Sequence, residues 1–208
     1  SPESLKDRRI VEVFSPNFLY SREEGGWHLT SLNPEPVDCS PELAVLLSTS
    51  GTTGDPKLVK LSRSNIDSNA RSIATYLQLD AGERAITTLS FYYSYGMAVL
   101  NSHFSVGGRI ILTEMSIIAD EFWSLFESCG ATSLALVPYQ FEYLDRIGFR
   151  SKELPSLRYI TQAGGRLSAG KIEDYGILAR TRGWRLFVMY GQTEASPRIS
   201  YVPPDDLL

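Results

Sequence analysis

Residues 43–61 read LAVLLSTSGTTGDPKLVKL. Leu43–Leu47 is a short apolar run, the pattern of a buried strand. Lys57–Leu61 alternates and reads as a second strand. Between them, every residue from Ser48 to Gly54 is Ser, Thr or Gly, and Asp55, Pro56 and Lys57 complete the run. Glycines let backbone amides turn toward one point, hydroxyls add donors without bulk, and Lys57 brings a positive charge. Thr49, Ser50, Gly51, Thr52, Thr53 and Gly54, with Lys57, thus form a plausible cradle for a polyphosphate. The alternative is a flexible polar linker, which the flanking strands weaken. A Walker loop fails on spacing. Counted from Gly51, Pro56 stands where the second glycine belongs, Leu58 follows Lys57, and a strand follows where a helix should.

Outward from this run, the chain alternates strands with amphipathic helices. Ser64 and Asp67 sit at capping-box spacing ahead of Ile66, Ala70, Ile73, Ala74 and Leu77, which mark one apolar helix face. Strands are expected at Arg84–Leu89, Arg109–Thr113, Thr132–Val137, Leu157–Thr161 and Arg185–Met189, the last clear one. Helices are expected at Tyr95–Phe104, at Ala119–Ser128, from Pro138 to Gly148, and from Ser168 to about Arg182, with Gly183 after it. This alternation predicts an α/β fold with a mainly parallel sheet and helices on both faces. Residues 1–42 read as a β-rich segment and linker: Ile10–Phe14 alternates, Phe18–Tyr20 and Trp27–Thr30 flank the turn-like SREEGG, and LNPEPVDCSPE carries three prolines. The expected division is therefore 1–42, a β-rich segment and linker, and 43–208, an α/β subdomain.

Parallel sheets of this kind bind ligands beyond the carboxyl ends of their strands. After Met189 comes YGQTE. Tyr190 offers a face for a purine, Gly191 lets the backbone approach a ligand, Thr193 can hydrogen-bond a phosphate oxygen, and Glu194 is a hard oxygen ligand suited to Mg2+. After Thr161 comes QAGGRLS, either a glycine-rich helix entry or a backbone wall of the same site. Residues 89–96 read LSFYYSYG, where core aromatics are the plain alternative.

Together these stretches resemble the adenylate-forming superfamily: acyl-CoA synthetases, peptide-synthetase adenylation domains and luciferases. The run from Leu47 matches the family's [YLF]-T-S-G-[ST]-T-G-x-P-K-G signature, departing only at Leu58, where the final glycine belongs. YGQTE matches Y-G-x-T-E. The GGR segment resembles G-G-x-P-L, with Arg166 replacing proline. LSFYYSYG resembles L-P-L-F-H-x-x-G, with Tyr93 replacing histidine and Ser90 replacing proline.

The resemblance implies an AMP-forming acid–thiol ligase with ATP and Mg2+ as cofactors. A carboxylate attacks the α-phosphorus of ATP, pyrophosphate leaves, and the acyl-adenylate passes to CoA or to the phosphopantetheine of an acyl carrier protein. It assigns Thr49–Gly54 and Lys57 to the β- and γ-phosphates. Gly164, Gly165, Arg166, Tyr190, Gly191 and Gln192 fall to nucleotide binding, and Thr193 and Glu194 to the α-phosphate and metal. Tyr93, Tyr95 and Gly96 border the acyl site. The match covers roughly residues 40–200, the middle of a family member; the ribose-binding aspartate and the catalytic lysine of the C-terminal domain are not found. The resemblance thus makes 43–208 a nucleotide-binding subdomain, an incomplete AMP-binding domain, and the expectation is a fragment, inactive without that C-terminal domain. A non-catalytic nucleotide-binding or interaction module of the same fold is the alternative.

Composition agrees with a globular protein: 208 residues, 43% hydrophobic and 21% charged, with a net charge of −4. The acidic balance does not suggest nucleic-acid binding. No apolar run approaches the roughly 20 residues of a membrane span. SPESLKDRRI lacks the layout of a signal peptide, and the cytoplasm is the default expectation. Cys39 and Cys129 read as reduced structural thiols, and His28 and His103 are too few for a metal cage.

Overall fold

The structure, a computed structural model, describes residues 11–23, 26–33, 35, 38–49 and 57–207. The chain forms two compact units, Ser1–Lys60 and Leu61–Leu208.

In the first unit, β1 (Phe18–Glu23) and β2 (Gly26–Ser31) make the expected hairpin, antiparallel, with Tyr20 and Trp27 stacked at 5.1 Å. The Asn17 side-chain amide donates to the Asn33 carbonyl at 2.9 Å, fastening the hairpin's exit to its entry. Residues 11–14 are helical, so the alternation of Ile10–Phe14 does not continue into a strand. Strands β3 (Leu43–Thr49) and β4 (Lys57–Ser62) form a two-stranded sheet of their own and do not join the main sheet. Ser50–Gly54 of the expected phosphate cradle, with Asp55 and Pro56, lie outside the described residues.

The second unit is built on a six-stranded sheet. In chain order its elements are α1 (Arg63–Leu77), β5 (Arg84–Ile86), α2 (Ser94–Ser105), β6 (Arg109–Ile111), α3 (Asp120–Ser128), β7 (Ser133–Leu136), α4 (Pro138–Arg146), β8 (Tyr159–Gln162), α5 (Ala169–Arg182), β9 (Arg185–Gly191) and β10 (Arg198–Val202). The sheet order is β6-β5-β7-β8-β9-β10, parallel through β9 and closed by antiparallel β10. β10 is the one strand of this sheet absent from the sequence reading, which took Arg185–Met189 as the last.

Successive strand residues face opposite sides of a sheet, and here both sides are apolar. Leu134, Leu136, Ile160 and Leu186 face α3, α4 and α5, where Phe122, Phe126, Phe141, Leu144 and Tyr175 complete one core. Ala135, Tyr159, Phe187 and Met189 face α1 and α2, where Ile73, Leu77, Tyr95 and Ala98 complete the other. The α/β fold with helices on both faces follows directly from this doubled burial.

Local signals set the helix ends. The α1 cap is Ser62, not Ser64: Ser62 Oγ accepts from the Asn65 amide, and Asn65 Oδ1 accepts from the Ser62 amide, both at 3.1 Å. The same hydroxyl-and-acceptor spacing starts two residues earlier than expected. Ser168 caps α5 and Gly183 ends it in the left-handed region, as the sequence predicts. Beneath β5, Glu83 is fully buried, where it accepts from Thr132 Oγ1 and pairs with Arg158 at 2.7 Å. Both cysteines are exposed, so neither packs as a structural thiol.

Candidate functional site

A cleft of about 670 Å³ opens at the carboxyl ends of β8 and β9. Three segments far apart in sequence form its walls: Tyr93–Tyr95 at the start of α2, Gln162–Leu167 after β8, and Val188–Thr193 at the end of β9. The parallel strands, numbered in chain order from β5, run 2-1-3-4-5 across the sheet, so the order reverses between β5 and β7. Gln140 closes that crevice by donating to the Thr88 carbonyl at 3.3 Å and accepting from the Val137 amide at 2.9 Å. The open cleft therefore lies two strands over.

Gln162 shapes the β8 wall. It is buried, and its amide donates to the Gly165 carbonyl at 2.9 Å, folding the glycine pair back over the strand end. Gly164 has φ +81°, and a Cβ there would lie 2.4 Å from the Tyr93 hydroxyl. The glycine thus meets both a backbone requirement and a close approach, bringing Tyr93 against the turn. Gly165 and Arg166 are exposed along the same wall.

The β9 wall begins with Tyr190, 62% exposed at the cleft. Gly191 pairs with Arg198 in the ladder, and a Cβ on it would lie 2.0 Å from the Pro197 carbonyl oxygen. Its bareness therefore serves the chain's own turn. Gln192 donates its amide to that carbonyl at 2.8 Å, and Ser196 donates back to Thr193 at 3.1 Å. The Asn69 side chain on α1 braces this turn from outside, donating to the Arg198 carbonyl at 3.2 Å. Thr193 Oγ1 lies 3.2 Å from Ser94 Oγ, tying the turn to the start of α2.

Glu194 follows Thr193 but is exposed and does not line the cleft. Among the described residues, no group of three or more His, Cys, Asp or Glu could hold a metal ion. A lone carboxylate still suits Mg2+, which takes one or two protein carboxylates and completes its shell with substrate phosphates and water.

The aromatic stretch divides. Tyr93 and Tyr95 line the cleft, whereas Gly96 lies outside it, lining a smaller cavity; a Cβ on Gly96 would lie 2.3 Å from the Ser90 carbonyl oxygen. Tyr95 is buried, with its hydroxyl 2.7 Å from Thr161 Oγ1. Lys57 and Thr49 belong to the other compact unit, Lys57 exposed and Thr49 half-buried.

Sequence reading missed Gln162, Ser94, Asn69 and Arg198 as parts of this site. Arg198 left one signal, a cation opening the otherwise uncharged RISYV run. Its guanidinium carbon sits 4.9 Å from the Tyr95 ring centroid. Burial raises the hydroxyl pKa values of Tyr76, Tyr93 and Tyr95, and the Arg198 charge offsets part of that rise.

The AMP-binding enzyme family model matches residues 3–207. The chain belongs to that family. It is 30% identical over 175 residues to the indoleacetate–CoA ligase of Aromatoleum aromaticum, covering 83% of this chain and 34% of that protein. The chain therefore spans about a third of that curated relative's length. Among solved structures, VinN with L-aspartate is 31% identical with TM-score 0.67, over 83% of this chain and 43% of that one. The Bacillus subtilis o-succinylbenzoate CoA synthetase in complex with AMP is 26% identical with TM-score 0.66, over 78% and 32% respectively. The chain thus shares the fold of adenylate-forming enzymes.

Proposed function

We propose that this chain forms part of an ATP-dependent ligase that activates a carboxylic acid as its acyl-adenylate, releases pyrophosphate, and hands the acyl group to a thiol. The thiol is that of CoA or of a carrier protein's phosphopantetheine. The convergence of Tyr93–Ser94, Gly164–Arg166 and Tyr190–Thr193 on one cleft carries this reading. Two named relatives lend support: one joins indoleacetate to CoA, and another is a CoA synthetase seen with AMP.

In this reading Tyr190 stacks on the adenine and the Gly164–Arg166 backbone flanks it, with Gly191 and Gln192 completing the nucleotide wall. Thr193 donates to the α-phosphate, and its contact with Ser94 orients the hydroxyl. Thr49–Gly54 and Lys57 take the β- and γ-phosphates. Tyr93 and Tyr95 border the acyl group. Mg2+, held by Glu194 and the phosphates, would neutralise charge on the leaving pyrophosphate. The protein's contribution is positioning and charge stabilisation, as in phosphoryl transfer generally. The cytoplasm is the proposed setting.

The test is carboxylate-dependent ATP–pyrophosphate exchange by the full-length protein over a panel of acids. Exchange should appear with at least one acid, and Tyr190→Ala should weaken AMP binding by about tenfold, the scale of one lost base stack. Absence of exchange with every acid, together with unchanged AMP affinity in Tyr190→Ala, would sink the reading.

A further inference from the structure

Arg198 lines the cleft, and among the described residues nothing neutralises it. Its Nε is buried without a hydrogen-bond partner, and among the described residues no carboxylate pairs with it. Phenols surround it: Tyr76, Tyr93 and Tyr95 feel its charge, and burial keeps all three firmly protonated. None supplies a negative charge. A half-buried guanidinium with one donor shut off from water and no carboxylate beside it is costly, and its rigid fork of donors matches a carboxylate.

Arg198 also lines a second cavity with Tyr95, Met189, Tyr159 and His103. That cavity measures about 20 Å³, room for roughly one water molecule. An alkyl chain passing Arg198 in that direction would have nowhere to go. The position therefore suits a polar end group that stops at the guanidinium.

We infer that Arg198 recognises a second acidic group on the acyl substrate, so that the acid activated here is a short or compact diacid. This rests on the reading of the cleft as the acid's site. The carboxylate that reacts loses its charge when its oxygen bonds the α-phosphorus of ATP and pyrophosphate leaves. A remote carboxylate keeps its charge throughout and remains a partner for Arg198 in every state.

The test is calorimetric binding of diacids to the full-length protein without nucleotide. Succinate, glutarate and phthalate are each compared with their monomethyl ester, and butyrate and benzoate serve as monoacids. At least one diacid should bind at least about tenfold more tightly than its half-ester, the scale of a lost charge-assisted pair. Arg198→Met should level the two, and Arg198→Lys should keep part of the preference. Equal binding of diacid and half-ester, no binding of any diacid, or a preference that survives in Arg198→Met would overturn the inference. The ester comparison in the unaltered protein stands even where a variant fails to fold. ATP binding by the unaltered protein separates the two proposals. Diacid preference without ATP binding sinks the ligase reading alone, and ATP binding without diacid preference sinks the Arg198 inference alone.

Discussion

Gly191 faces the Pro197 carbonyl oxygen, and an added Cβ would lie 2.0 Å from it. The obstacle is backbone held in a hairpin, so it cannot swing aside. Gly191→Ala should cost about 1–3 kcal/mol, the range of overpacked sites, and urea unfolding measures it. Gly165→Ala meets only the edge of the Pro138 ring at 3.1 Å and should cost less. Equal losses would contradict the turn geometry. His103 is a second residue with a measurable signature. Burial lowers its pKa, with the Val99 carbonyl pulling the other way, and its Nε2 lies 3.0 Å from the Tyr159 hydroxyl. Between its folded pKa and the ordinary value of about 6.5, the unfolded chain binds a proton that the folded chain does not. Stability is therefore complete above that window and declines as pH falls through it. The urea midpoint should drop between about pH 7 and pH 5, and less so in His103→Gln. An identical pH slope in the variant would refute the assignment.

At the scale of elements, the α1 cap offers a clean discrimination. Ser62 and Ser64 lie side by side with hydroxyls 2.9 Å apart, yet only Ser62 accepts from the Asn65 amide. Ser62→Ala should lower stability by about 1 kcal/mol, whereas Ser64→Ala should stay within about 0.5 kcal/mol. Thermal unfolding of the two variants checks the assignment, and a reversed order would return the cap to Ser64. The parallel strands of the main sheet were legible because each carries a short apolar run. β10 was not, since a largely exposed edge strand needs no apolar run and RISYV offers little alternation.

At the scale of the whole second unit, stability rests on the two cores that sandwich its sheet. Phe141 is fully buried on α4, with its ring edge-on to Tyr175 at 4.9 Å. Phe141→Ala should cost about 3–5 kcal/mol, while Tyr139→Ala, on the exposed face of the same helix, should cost little. Circular-dichroism melts of both variants measure the contrast, and comparable losses would mean that α4 packs by another face. The sequence alone determined the α/β class, most element positions and the motif order, because burial on both sheet faces and cap chemistry are local patterns written every few residues. Only the tertiary structure decided which loops share a cleft, that Gly96 stands outside it, and that Arg198 lines it with no carboxylate partner among the described residues. Those facts depend on contacts between residues far apart in the chain, such as Thr193 with Ser94 and Gly164 with Tyr93, and no local periodicity encodes such distances.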